Sequence, residues 1–177
     1  MVLAGREVTI LGAGIGGLTA AVALAQRGAK VTVLERSATI SEVGAGLQIS
    51  PNGVRVFDAL GMGEALREAS IRSRGVVLRD YADGREVLRM DLPEVPGFYL
   101  MHRADLIGVL SRAVREANVT VRLSHETEAV DINDDGTPAV RLADGRILTQ
   151  DLVVGADGLH SPTRKAVERS GQPFFTG

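Results

Sequence analysis

Apolar residues near the start of the chain fall in short blocks, each cut off by glycine. Glu7 to Leu11 (EVTIL) is a β-rich run that stops at Gly12. Beyond it, Ile15, Leu18, Val22 and Ala25 recur at helical spacing, and Gly28 stands where a C-terminal cap belongs, which predicts a helix over 15–27. Lys30 to Leu34 (KVTVL) returns to a strand pattern. Strand, glycine turn, helix and strand in so short a span make a βαβ unit, whose strands should be parallel and whose crossover right-handed.

The pattern then changes. Residues 41–52 (SEVGAGLQISPN) carry the glycine and proline of a loop, partly buried through Leu47 and Ile49. Two short helices are expected over 53–60 and 63–69. Alternating runs over 75–79 and 85–90 flank Asp83-Gly84, which predicts a β-hairpin. Pro93 and Pro96 mark another loop. A second long amphipathic helix is expected over 103–117, with Leu106, Val109, Leu110, Ala113, Val114 and Ala117 inward. Residues 119–123 (VTVRL) read as a third parallel strand. A β-meander follows over 127–132, 139–142 and 146–148, with turns at Asp135-Gly136 and Asp144-Gly145. A last apolar strand is expected over 152–155 and a last helix over 161–169. The tail 172–177 (QPFFTG) ends on two aromatic residues that nothing after them would bury.

Composition removes several function classes. The 177 residues include no cysteine, so a disulfide scaffold and a thiolate metal or redox site are excluded. The formal net charge of -2 gives no general attraction to nucleic acid or to an acidic membrane. His102, His125 and His160 lack metal-ligand spacing, and Asp131, Asp134 and Asp135 lack that of a calcium loop, so no metal is expected. Ser161 follows His160 without a nucleophile elbow around it. With six aromatic residues there is no interleaved strip for single-stranded nucleic acid. No apolar run is long enough to span a bilayer and no signal-peptide pattern opens the chain, so a cytoplasmic protein is expected. The 21 glycines exceed the usual share of about 7%, and glycine is costly in entropy, so specific backbone geometry is in use.

Part of that geometry is Gly12-x-Gly14-x-x-Gly17 between the first strand and its helix. The first glycine permits the tight turn, the second lets a pyrophosphate approach the backbone, and the third lets helix pack on strand. The helix N-terminus offers N–H groups and partial positive charge to the anion. Glu35 ends the second strand, where a carboxylate accepts hydrogen bonds from a ribose hydroxyl and repels a ribose phosphate. These residues predict a dinucleotide site and leave NAD and FAD both open.

A second motif bears on that choice. Residues 151–164 (DLVVGADGLHSPTR) resemble the D-G motif of single-component flavoprotein aromatic hydroxylases, G-A-D-G-x-x-S-x-x-R, matched by Gly155, Ala156, Asp157, Gly158, Ser161 and Arg164. Residues 12–36 (GAGIGGLTAAVALAQRGAKVTVLER) are similar to the first motif of such enzymes. GAGLQISPN, 44–52, resembles their loop beside the flavin, and His102-Arg103 with Leu106 resembles their H-R-x-x-L helix start.

The resemblance implies an α/β, Rossmann-like FAD-binding fold with a parallel sheet, a β-meander and an incomplete substrate-domain hairpin. It implies FAD-binding parts at 1–74 and 101–177 around a substrate-domain start at 75–100. Gly12, Gly14, Gly17, Glu35, Arg36, Gly46, Arg103 and Asp157 would hold FAD. Gln48 would lie near the flavin ring and substrate, or else serve as a loop amide bonded to local backbone. NAD(P)H would be the reducing co-substrate, dioxygen the oxidant, and a hydroxylated aromatic acid of the salicylate type the substrate. Enzymes of the family run well beyond this length, through a larger substrate-domain sheet to a third motif, G-D-A-x-H/P. The chain therefore reads as an N-terminal part, with its catalytic residues unassigned and unpaired strand edges that favour self-association. A catalytically silent FAD-binding fragment is one rival reading. An NAD-dependent dehydrogenase domain is the other, disfavoured by the D-G motif.

Overall fold

The computed structural model describes residues 3–40 and 45–168. The aromatic tail, Gly44 and the expected last residue of the final helix lie outside the described residues. The chain divides into two compact units, one of Met1–Ser41 with Leu110–Gly177 and one of Glu42–Val109.

The first unit is built on a four-stranded parallel sheet in the order β12-β1-β2-β8, from β1 (Glu7–Leu11), β2 (Lys30–Leu34), β8 (Thr120–Arg122) and β12 (Leu152–Gly155). Helix α1 (Ile15–Ala25) crosses between β1 and β2 and buries Leu18, Ala21 and Val22. The βαβ expectation holds, with the helix ending two residues short of Arg27. Val8, Ile10, Leu11, Val33 and Leu34 are all at most 2% exposed. A fully buried side chain of this size contributes about 1.5–3 kcal/mol, so the sheet is a large part of the unit's stability.

The meander is a three-stranded antiparallel sheet in the order β11-β10-β9, from β9 (Thr127–Ile132), β10 (Pro138–Leu142) and β11 (Ile147–Thr149). Val140 and Leu142 form one core cluster with Leu11 and Leu34, joined by Val130, Leu148 and Val153. The meander therefore packs where β1 and β2 end, and it braces the turns that follow them. Helix α5 (Pro162–Val167) runs against β9 and β12.

The second unit departs from expectation in three strands, none of which the sequence pattern predicts. The stretch read as loop contains β3 (Gly46–Ile49), paired antiparallel with β7 (Phe98–His102), which also pairs with β4 (Ile71–Ser73). Tyr99 and Met101 are buried while Leu100 and His102 are exposed, the alternation of a half-buried strand. Helices α2 (Pro51–Ala59) and α3 (Gly63–Glu68) lie between β3 and β4. The hairpin forms as predicted from β5 (Gly75–Arg79) and β6 (Glu86–Asp91). Helix α4 (Arg103–Glu116) starts directly from β7 and buries Leu106, Ile107, Leu110 and Val114.

Among the described residues, no helix is long and apolar enough to cross a membrane.

Candidate cofactor-binding site

The turn after β1 is fixed by backbone contacts that admit only glycine. Gly12 has φ +102°, and a β-carbon there would overlap the Ala156 carbonyl oxygen. A β-carbon on Gly17 would overlap the Gly12 carbonyl oxygen. Gly14 differs, because a side chain there would enter open space, with nothing within 4 Å. It is the N-cap of α1, and Leu18 N–H returns to its carbonyl at 2.9 Å. The N–H groups of the first turn ahead of Leu18 have no carbonyl within the helix to bond. No side chain caps them and no acidic residue lies in the first turn. The open space at Gly14 and the donors around it form a cradle for an anion.

Glu35 closes one side of this turn. Its Oε2 accepts the Ala13 N–H at 2.8 Å and its Oε1 the Ser37 N–H at 2.9 Å. Burial pushes the Glu35 carboxyl up, but the two N–H donors, the Ser37 hydroxyl and the Arg36 charge together hold it below its ordinary value. Arg36 itself is exposed beside it. Strand β8 continues into this corner, with Glu35 N–H donating to the Arg122 carbonyl and His125 N–H to the Glu35 carbonyl, at 2.9 and 2.8 Å.

Asp157 closes the other side. Ala156 N–H donates to the Leu11 carbonyl at 2.8 Å, so the D-G segment rests on the glycine turn itself. The two motifs, far apart in sequence, meet in one place. The Asp157 Oδ2 accepts both the Thr163 N–H at 3.1 Å and the Thr163 hydroxyl at 2.7 Å. Burial again pushes this carboxyl up, while the Ser161 and Thr163 hydroxyls and the Thr163 N–H bring it below its ordinary value. Both carboxylates are therefore ionised acceptors at neutral pH, suited to ribose or ribityl hydroxyls. The sign of the pH dependence follows. A carboxyl held low in the folded chain contributes stability above its unfolded value, near 4, that is lost as pH falls through the folded value. Glu35→Gln should flatten the acid limb of the stability–pH curve below about pH 4.5. Chemical denaturation across that range checks it, and an unchanged acid limb counts against the carboxylate's being held low.

In the second unit Gly46 and Gln48 lie on β3, and Arg103 is the first residue of α4, its N–H donating to the Ala45 carbonyl at 3.0 Å. Cross-strand pairing puts Gly46 opposite His102 and Gln48 opposite Leu100, with Ile71 opposite Leu100 on its other side. These residues share the exposed face of the sheet, which floors an open cleft of about 580 Å3 that Asp105 also lines. Gln48 is thus on a strand facing a cleft. Sequence reasoning missed this cleft, and it missed Ala13 and Thr163, whose contribution is backbone or lies between motif positions; Ala156 it read only as a motif match, without its contact to the glycine turn.

The residues in the first unit fit a dinucleotide with two sugar-like hydroxyl groups to bind. The family model described as FAD binding domain matches residues 6–174. A 3-amino-4-hydroxybenzoate 2-monooxygenase of Streptomyces cremeus is 39% identical, with 97% of this chain aligned to 44% of the relative. A 3-hydroxybenzoate 6-hydroxylase of Aquipseudomonas alcaligenes is 35% identical, with 97% of this chain aligned to 45% of it. The chain thus spans less than half the length of these curated relatives. A tetrameric form of 2-methyl-3-hydroxypyridine-5-carboxylic acid oxygenase superposes with a TM-score of 0.81 at 29% identity, covering 92% of this chain and 42% of that one. Glycine turn, Glu35 and D-G segment are combined here in one place, and with the match over residues 6–174 they put the chain in the FAD binding domain family.

Proposed function

We propose that this chain is the FAD-holding part of an NAD(P)H-dependent flavoprotein monooxygenase that hydroxylates a small aromatic acid. The observation that carries the reading is the junction of the two motifs, with Ala156 bonded to Leu11 and packed on Gly12. It sets one acidic acceptor on each side of the anion cradle, which suits the two hydroxylated stretches of FAD. The activities of the relatives, a 3-amino-4-hydroxybenzoate 2-monooxygenase and a 3-hydroxybenzoate 6-hydroxylase, support the reaction class.

In this reading Gly12, Gly14 and Gly17 admit the pyrophosphate, Glu35 takes ribose hydroxyls, and Arg36 and Arg103 add positive charge. Asp157 takes ribityl or ribose hydroxyls. When bound, FAD supplies the redox chemistry, with NAD(P)H as reductant and dioxygen as oxygen donor. Gly46 and Gln48, on a sheet face floored by Leu100 and Ile71, offer an apolar surface with one amide to a planar ring. The hairpin β5–β6 exposes Val76, Leu78, Leu88 and Met90, which pair across its strands on one face. That face supports the hairpin as the start of a substrate domain, and it supports self-association of this chain in isolation.

Two measurements test the reading. The protein carrying this chain, supplied with FAD, should oxidise NADH or NADPH faster when a hydroxybenzoate is added, consume dioxygen and release a product one oxygen atom heavier. Loss of nicotinamide consumption's dependence on any aromatic acid would refute the monooxygenase assignment. Glu35→Ala should weaken FAD binding by about 1.5–3 kcal/mol, the worth of a hydrogen bond to a charged group. Equal affinity in that variant would remove Glu35 from the site.

A further inference from the structure

We propose that Thr163 is a positioning residue for FAD: it fixes the Asp157 carboxylate through two hydrogen bonds to one oxygen. The inference rests on the assignment of Asp157 to the cofactor and adds a residue at a position that the D-G pattern leaves unspecified.

Thr163 N–H and hydroxyl both donate to Asp157 Oδ2, at 3.1 and 2.7 Å. Two bonds to the same atom set the plane of the carboxylate far better than one. The threonine is itself fixed from behind. A β-carbon on Gly155 would stand 2.6 Å from the Thr163 β-carbon, so β12 approaches α5 at van der Waals distance only because position 155 is glycine. Threonine is also stiff about its first side-chain torsion. The intervening loop is closed on itself. Ser161, 7% exposed, caps α5 by accepting the Arg164 N–H at 2.9 Å, and the Arg164 guanidinium donates to the Leu159 carbonyl at 3.1 Å. Helix capping is thus already supplied by Ser161, and the Thr163 hydroxyl is turned to the carboxylate instead. On the opposite side, Ala156 is bonded to β1. Asp157 is therefore held between the glycine turn and Thr163, ionised and oriented before any ligand arrives. Pre-ordering of this kind raises affinity by removing an ordering cost at binding.

The test uses Thr163→Val, which keeps the shape and loses the hydroxyl, Thr163→Ser, which keeps the hydroxyl, and Asp157→Asn. Flavin fluorescence titrations of the chain with FAD are run from neutral to acid pH. Thr163→Val should bind FAD about five- to tenfold more weakly at neutral pH, less than the loss of a direct hydrogen bond to a charged group because Thr163 acts through Asp157. Its affinity should also begin to fall at a higher pH than in the parent, because Asp157 loses a bond that favours its ionised form. Thr163→Ser should restore both. A purely structural threonine would change thermal stability and leave the acid limb of FAD binding in place, which would overturn the inference. Asp157→Asn separates the two levels. If it binds FAD as well as the parent does, the assignment of Asp157 fails and the role of Thr163 fails with it. If it weakens binding while Thr163→Val matches the parent at every pH, the Thr163 inference alone fails.

Discussion

Gly14→Val should abolish FAD binding and leave the protein folded. A side chain at position 14 meets no protein atom within 4 Å, so the fold has no reason to resist it. The same open space lies at the N-terminus of α1, where the pyrophosphate would sit against the first-turn N–H groups. Valine fills that space with two methyl groups. Displacing the anion forfeits at least two charge-assisted hydrogen bonds, each worth about 1.5–3 kcal/mol, which amounts to a loss of affinity of about a hundredfold or more. The check is a FAD titration alongside a thermal melt. Retained affinity would refute the placement of the pyrophosphate, and an unfolded variant would contradict the open space at Gly14.

Gly17→Ala should do the reverse and damage the fold itself. In a helix interior, alanine in place of glycine normally gains about 1 kcal/mol. Here the added methyl would overlap the Gly12 carbonyl oxygen and stand 3.3 Å from the Ala156 side chain. Neither neighbour can yield easily. Gly12 is in a tight turn at φ +102°, and Ala156 is bonded to Leu11. Overpacking of this kind costs about 1–3 kcal/mol and more where backbone must shift, so the clash outweighs the helix gain. Thermal or denaturant unfolding should show a clear loss of stability, with FAD binding weakened as a consequence. A variant as stable as the parent would show that α1 does not approach β1 as closely as described.

The contrast between these glycines shows what was legible in the sequence. The spacing of Gly12, Gly14 and Gly17, with Glu35 at the end of β2, gave the parallel βαβ unit and its cofactor turn, because that geometry is local. The meander and the hairpin were legible for the same reason, through their Asp-Gly turns. The sheet of β3, β7 and β4 was not. Residues 46–49 alternate correctly, but the run is four residues long and framed by glycine and proline, and its partner β7 lies some fifty residues away. Only the pairing makes it a strand. Thr163 escaped notice for a related reason. Its importance comes from a contact with Asp157 and from the close approach of Gly155, neither of which has a pattern in one dimension. The D-G motif did indicate that Asp157 matters, and the structure adds how it is held. It also shows that the motif's alanine touches the glycine turn.

The glycine turn, Glu35 and Asp157 are proposed to form one FAD site. Titrating the chain with FAD, with and without excess NAD+, and following flavin fluorescence tests it directly. Saturable uptake of one FAD per chain, unaffected by NAD+ and lost in Gly14→Val, is the predicted result. FAD uptake that does not saturate, or that NAD+ displaces at comparable concentration, would contradict it.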